Sequence, residues 1–337
     1  MSTTHLPPTD VTSGKPGGRR YGFRRSFLRQ PWTFSAILVA GLLAANLLAE
    51  HSILAPRYWP SLLGNLAPFV LVAFASTLPI LGGGGGIDIS VGPQATLTNC
   101  LLCAVLFPHG LGSPWVSIPL LLLVGAAVGV VNGLLVAFGR LQPVIVTLAT
   151  FFVVSGLALR VSPGPAGLAS GNWTESVAGR IGILPGGLVT IGVVALAWFG
   201  LSRTRVLRTL YAVGADDVAA FSAGVNVNAF RIGAYVASGV LATVAGIALT
   251  GVIQTSQPAL APTYSLVALA AVSLGGTSLL GGRGGLMGSF FGAVAIFLLQ
   301  DLLAATGVPT SYVQLAYGLL LVAGVVLSGL TSRAKVS

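Results

Sequence analysis

The chain has 337 residues, 54% of them hydrophobic and only 7% charged, with a formal net charge of +10 and a mean hydropathy of +0.92. Soluble domains carry about 25% charged residues, so this composition excludes a soluble globule and points to an integral membrane protein. The basic excess does not imply nucleic acid, because no interleaved aromatic and basic surface is evident, and two cysteines make no disulfide framework.

Residues 1–30 are rich in Pro, Gly, Ser, Thr and Arg and predict a disordered basic tail. Within it, Arg24-Arg25-Ser26-Phe27-Leu28-Arg29 has the look of a twin-arginine export signal. Many more apolar segments follow and no convincing cleavage site does, so the run reads as a positive anchor for the first span. A membrane-crossing helix takes about 20 apolar residues. Ten such segments are predicted, at 32–50, 61–81, 91–107, 115–138, 143–161, 184–201, 231–252, 264–279, 285–304 and 311–330. The expected fold is an all-α integral membrane protein of about ten transmembrane helices with glycine-broken hairpins. A single transmembrane domain covers 31–331, and a short tail follows at 332–337.

Placing the N-terminus in the cytoplasm and alternating puts 14 of the 17 Lys and Arg residues inside, leaving Arg57, Arg160 and Arg180 outside. That asymmetry follows the positive-inside rule and places both termini in the cytoplasm. Gly125, Gly129 and Gly133 stand four apart on one helix face, as do Gly288 and Gly292. Such faces let helix backbones approach closely, here within one subunit. A faint internal echo links Leu71–Ala75 leading into Gly82–Gly86 with Leu266–Ala270 leading into Gly275, Gly276, Gly281 and Gly282. Paired glycine-interrupted hairpins point to a transport pathway.

Several motifs are weighed against simpler explanations. Asp88 follows the glycine run, and an acid within a span costs about 2.5–3.5 kcal/mol on insertion scales, which makes it a pathway candidate. It equally suits the positive N-terminal end of the third helix as a cap. Cys100 and Cys103 form a CxxC inside a span and read as small apolar residues. His5, His51 and His109 are scattered and make no metal set. Asn172-Trp173-Thr174 is a sequon on the expected outer side, predicted to be unmodified in a bacterial host. No phosphate-binding G-x-x-x-x-G-K-[ST] run and no catalytic constellation is evident, so no cofactor and no enzymatic activity is expected of this chain.

The largest polar interruption is Ser202–Arg231, framed by Arg203, Arg205, Arg208 and Arg231. Asp216–Ala223 predicts a short helix. Asp216 and Asp217 suit its N-terminus, Gly224 its C-terminal stop, and Val218 and Phe221 share a face. A helix of eight residues is marginal alone, below the roughly 12–15 residues needed in water, so packing on the membrane domain or on a partner must hold it.

These segments resemble the permease subunits of ribose-type ABC sugar importers over about residues 60–330. Gly85-Gly86-Ile87-Asp88-Ile89-Ser90-Val91-Gly92 is similar to the family's GGIDLSVG. Asn132-Gly133-Leu134-Leu135 with Pro143-Val144-Ile145-Val146-Thr147-Leu148 resembles NGLL…PxFIVTL. Tyr211–Gly214 through Gly224–Val227 resembles the YAxGGNExAAxxSGIxV loop, and Leu274–Leu279 with Gly281-Gly282 resembles LGGTSxxGG. The resemblance implies a bacterial inner-membrane permease. A cytoplasmic ATPase pair carries ATP and Mg, an extracytoplasmic solute-binding protein delivers cargo, and a second permease subunit, identical or related, completes the path. Residues 202–231 then hold the coupling helix, with Gly214, Asp216, Asp217, Val218, Phe221 and Gly224 at the ATPase interface. Asp88, Ser90, Asn132, Thr147, Thr277 and Ser278 become pathway candidates. The expected cargo is a small polar solute such as a monosaccharide or related polyol.

The chain departs from the family in places. Phe221 stands where a basic residue is common, Ala215 replaces a glycine, and the acids of YELDAIAA are replaced by Ser265 and Val267. An ion-gradient-driven secondary transporter is the alternative. It would need intramembrane ionisable groups, of which only Asp88 and Asp301 come near.

Overall fold

The computed structural model describes residues 32–49 and 55–333. The predicted tail and its arginine run, and residues 334–337, lie outside the described residues. In chain order come α1 (Thr33–Ala49), α2 (Trp59–Leu81) and α3 (Val91–Leu101), which continues as a π-helical turn over Leu102–Leu106. Next are α4 (Pro114–Ala137), α5 (Pro143–Val161) and the short α6 (Trp173–Ala178). A two-residue hairpin of β1 (Arg180–Ile181) and β2 (Leu184–Pro185) leads into α7 (Gly186–Ser202). Then follow α8 (Arg205–Ala215), α9 (Asp217–Ser222), α10 (Val227–Ile253), α11 (Ala261–Leu274), α12 (Leu286–Ala305) and α13 (Thr310–Arg333).

Each of the ten predicted apolar segments contains a helix, although 184–185 is strand and the 264–279 segment is helical only to Leu274. Proline opens α4 and α5 at their first turns, where its missing N–H costs nothing. Among the described residues, five helices, α2, α4, α5, α10 and α12, are long and apolar enough to cross a membrane. α7 and α8 make a sixth if their 81° bend is counted as one broken span, while α1, α3, α11 and the apolar part of α13 are shorter apolar helices.

The central element is α2, buried on every side from Leu66 to Leu81, as expected of a helix apolar all round. It packs against α10, α11 and α12. Thr77 of α2 hydrogen-bonds Ser289 of α12 at 2.7 Å. The four-residue glycine repeat of α4 faces α10. A Cβ added at Gly125, Gly129 or Gly133 would come within 2.8 Å of Gly239 O, Val236 Cα or Ile232 Cα, so only glycine admits this approach. Gly288 and Gly292 of α12 press likewise on the carbonyls of Gly275 and Ala271 in and after α11.

The connections gather into two groups. In one, the Trp173 indole donates to Gly112 O at 2.7 Å, Gly167 bridges Thr255, and Asn99 receives Gln257 N–H at 2.9 Å. In the other, the loop after α2, the α4–α5 turn, α8, α9 and the loop after α11 converge. The first group holds loops the alternation predicts outside, and the second holds those it predicts inside.

Candidate functional site

The second group of connections is organised by glycine. α8 leaves α7 at 81° and lays Leu207 and Leu210 across Leu81, Ala234 and Trp198, so it caps the ends of α2, α7 and α10. At its last turn Gly214 has no room for a side chain: a Cβ there would meet Leu81 O and, at 2.8 Å, Gly282 N. A Cβ on Gly83 would lie 2.6 Å from Gly214 Cα, and one on Gly282 2.7 Å from Ala215 Cα. Gly83 and Gly282 also have φ of +74° and +66°, a region open to glycine at little cost. Gly282 N donates to Leu81 O at 3.3 Å, and Tyr211 Oη donates to Gly284 O at 2.8 Å. Both glycine-broken hairpins therefore meet at the last turn of α8, immediately before α9.

α9 forms where its sequence predicts. Asp216 Oδ1 accepts the Ala219 N–H at 2.9 Å, and Gly224, with φ +82°, ends the turn by donating to Phe221 O at 2.9 Å. Ala220 is buried with Val213 and Val227, which anchors one face. On the other, Val218 and Phe221 are each 72% exposed. A cleft of about 1000 Å³ opens beside this face, lined by Gly84, Ala137, Arg140, Phe221, Asn226 and Arg231.

The six interface candidates thus differ in placement. Val218 and Phe221 are free to contact another molecule. Asp216 and Gly224 cap the helix. Gly214 is packed into the glycine junction, and Asp217 Oδ2 accepts from Arg231 Nη2 at 2.7 Å. α8 itself was not separable by sequence from the loop around it, because charge in Arg205 and Arg208 obscures its short apolar stripe.

Asp88 lies at the far end of the first glycine loop, 2% exposed. Its Oδ1 accepts from Ser90 N at 3.0 Å and Ser90 Oγ at 2.6 Å, and its Oδ2 accepts from Ser238 Oγ of α10 at 2.8 Å. Asn132 Nδ2 donates to Ser90 Oγ at 3.0 Å, and Thr150 Oγ1 donates to Asn132 Oδ1 at 2.6 Å. Thr147 Oγ1 donates to Ile87 O at 3.2 Å, and Ser265 Oγ to Ile89 O at 2.7 Å. The structure thus brings Asp88, Ser90, Asn132 and Thr147 into one buried polar network spanning α3, α4, α5, α10 and α11.

The cap expected of Asp88 takes another form. Ser90 is the residue preceding α3, and the carboxylate bonds its N–H and hydroxyl while also reaching across to α10. Sequence did not single out Ser238 or Thr150, since lone hydroxyls in apolar helices carry no pattern, and it marked Ser265 only as the replacement of an acid in the resembled family. Thr277 and Ser278 belong to the other hairpin. Thr277 Oγ1 accepts from Gly285 N at 3.3 Å, and Ser278 N donates to Arg283 O at 3.0 Å. Val267, at a position acidic in the resembled family, is fully buried in the apolar core.

Cys100 and Cys103 are free and buried. Among the described residues no group of three His, Cys, Asp or Glu could hold a metal. In the sequon, the Asn172 side chain caps α6 through Thr174 N and donates to Gln254 Oε1 at 2.7 Å, which occupies its amide.

Comparison with known proteins extends these observations. A family profile described as branched-chain amino acid transport system / permease component matches residues 60–325. The ribose import permease of Escherichia coli K12 is 32% identical over 313 residues, 90% of this chain and 94% of that protein. The ribose import permease of Bacillus subtilis 168 is 33% identical, covering 87% of this chain and 89% of its own. The fructose import permease of Rhizobium meliloti is 32% identical, covering 86% and 83% respectively. No solved structure matches the chain. With apolar helices able to cross the bilayer, a glycine junction at one end and a profile match over most of its length, the chain belongs to the branched-chain amino acid transport system permease family, as a multi-pass inner-membrane permease of the ribose-import type.

Proposed function

We propose that this chain is the membrane-spanning subunit of an ATP-binding cassette importer for a small polar solute, a monosaccharide or related polyol. It crosses the membrane ten times with both termini in the cytoplasm, and a second permease subunit pairs with it to enclose the path. A separate cytoplasmic ATPase binds ATP and Mg, and an extracytoplasmic binding protein supplies the cargo. Closure of the ATPase pair pulls on α9 and shifts the subunit between two packings, which alternates access to the path.

The observation that carries this function is α9 itself. Six residues are too few to persist alone, yet α9 is capped at both ends and anchored through Ala220 while presenting two apolar side chains outward. A helix in this setting gains by burying Val218 and Phe221 against a partner. It follows directly on α8, whose last residues Gly214 and Ala215 pack against both glycine hairpins, and this supplies the mechanical connection to the membrane helices. The ribose and fructose importers among its relatives support the cargo class.

The direct test replaces Val218 and Phe221 together by Ala in the full-length protein. Asp217 is left alone because it is committed to Arg231. The ATPase that co-purifies with the native chain from its own membranes is then titrated against the variant. Apolar anchors of this kind dominate interface energies, so affinity should fall by about tenfold or more, with folded yield unchanged. Uptake of radiolabelled pentoses and hexoses should fall in parallel. Undiminished uptake in the double variant, or proton-driven uptake without ATP in vesicles of the native chain, would overturn the proposal.

A further inference from the structure

The Asp217–Arg231 ion pair joins α9 to the first turns of α10. Arg231 is the fifth residue of α10 and holds two contacts at once. Its Nη2 meets Asp217 Oδ2 of α9 at 2.7 Å. Its guanidinium lies on the backbone of Gly84, where an added Cβ would come 2.7 Å from Nη2. Its own helix carries Ser238 two turns further on, bonded to Asp88 at 2.8 Å. α10 therefore grips the first glycine hairpin at two points, the loop at Gly84 and the buried carboxylate at Asp88. α9 is joined to the first of these by charge.

α9 has other links. On its C-terminal side the chain turns at Gly224, φ +82°, and reaches Asn226, which caps α10 through the Ala229 N–H; on its N-terminal side Gly214 and Ala215 pack on Gly83 and Gly282. The apolar anchor of Ala220 on Val213 and Val227 resists separation but can slide. A short guanidinium–carboxylate pair fixes direction as well as distance. Its partial exposure, 22% at Arg231 and 46% at Asp217, means that it adds little to stability. The pair joins α9 to the Gly84 loop through side chains, alongside the backbone contacts of Gly214 with Gly83 and of Ala215 with Gly282, and its fixed direction suits it to transmission.

We infer that Arg231 is a positioning residue that converts movement of α9 into movement of the first glycine hairpin and the Asp88 network, with the Asp217–Arg231 pair as the strut. This role presupposes that α9 contacts the ATPase. Displacing α9 draws on the guanidinium, the guanidinium shifts the Gly84 loop, and the loop moves Asp88 relative to Ser238.

The test uses full-length permease assembled with its co-purifying ATPase and binding protein in liposomes. The sugar is the one the native assembly takes up fastest from a panel of pentoses and hexoses. Three variants are compared: Asp217→Asn, Arg231→Gln and the exchange Asp217→Arg with Arg231→Asp. Folded yield and ATPase co-purification should match the native chain in all three. Molecules imported per ATP hydrolysed should fall by about tenfold in each single variant, within the range of measured coupling energies, and recover most of that loss in the exchange. Native import per ATP in both single variants would overturn the strut. So would an exchange that stays uncoupled while Arg231→Lys is fully coupled, since Arg231 would then act on a group other than Asp217. Failure of the native chain to hold any ATPase refutes the coupling function itself, and does so before any variant is measured.

Discussion

A carboxylate shut away from water is stable only when its lone pairs are occupied, and Asp88 shows how this chain meets that demand. Two donors come from Ser90 two residues on, and a third comes from Ser238 on a distant helix. Removing the carboxylate leaves both hydroxyls and a backbone N–H in a dry site, at about 1–3 kcal/mol for each orphaned group. Asp88→Asn keeps one acceptor for Ser90 and offers an N–H to Ser238, whose hydroxyl can turn to accept it. Thermal denaturation in detergent should therefore rank the loss of stability as Asp88→Ala greatest, Ser238→Ala next and Asp88→Asn least. Comparable losses in Asp88→Ala and Asp88→Asn would mean that the negative charge, not the hydrogen bonding, holds the network. Asp88 was legible in the sequence because it follows a run of glycines, whereas Ser90, Asn132 and Thr147 were legible only through the resemblance to sugar-importer permeases. Ser238 was not, because its partner lies 150 residues away and nothing local marks it.

Among elements, the glycine junction sets how closely two hairpins and α8 approach. Gly214 and Gly224 stand ten residues apart and make opposite demands. Gly214 has an ordinary φ but no space, whereas Gly224 has open space and φ +82°. Gly224→Ala should thus cost only the left-handed backbone term, about 1–2 kcal/mol, and leave a folded protein. Gly214→Ala drives a methyl into backbone atoms of Leu81 and Gly282, which cannot swing aside, and should abolish most folded yield in fluorescence-detected size exclusion. Equal behaviour of the two variants would show that the junction is loose. Helix boundaries were legible wherever glycine or proline marks them, as for α5 at 143–161. They were missed where charge misled. Arg231 read as the edge of a span, yet α10 begins four residues earlier at Val227, where the Asn226 side chain caps it by accepting the Ala229 N–H. The span expected to reach 279 stops at Leu274, where Gly275 and then Gly276, at φ +75°, turn the chain.

For the whole molecule, the distribution of charge and the grouping of loops make one joint claim about orientation. The inside connections after α2, α7 and α11 meet at the glycine junction, with the α4–α5 turn on the cleft beside it, and the outside connections at 108–114, 162–183 and 253–263 meet around Asn99, Trp173 and Thr255. Charge and packing are independent observations, since the helices would pack identically in either orientation. α7 connects the two ends. Its 17 residues span about 26 Å, close to the hydrocarbon thickness of about 30 Å, with the β1–β2 hairpin before it and α8 after it. Two exposed side chains report the two faces, Ile183 at the hairpin tip, 94% exposed, and Val218 on α9, 72% exposed. Both native cysteines are buried, so replacing them by Ala gives a quiet background for single-cysteine labelling. In intact cells whose outer membrane has been permeabilised, a membrane-impermeant maleimide should label Ile183→Cys fully and leave Val218→Cys unlabelled until the inner membrane is opened. The opposite pattern would invert the topology and put α9 out of reach of any cytoplasmic ATPase. Labelling of both sites from outside would mean that α7 does not cross, and would break the chain of alternation on which the ten-span count rests.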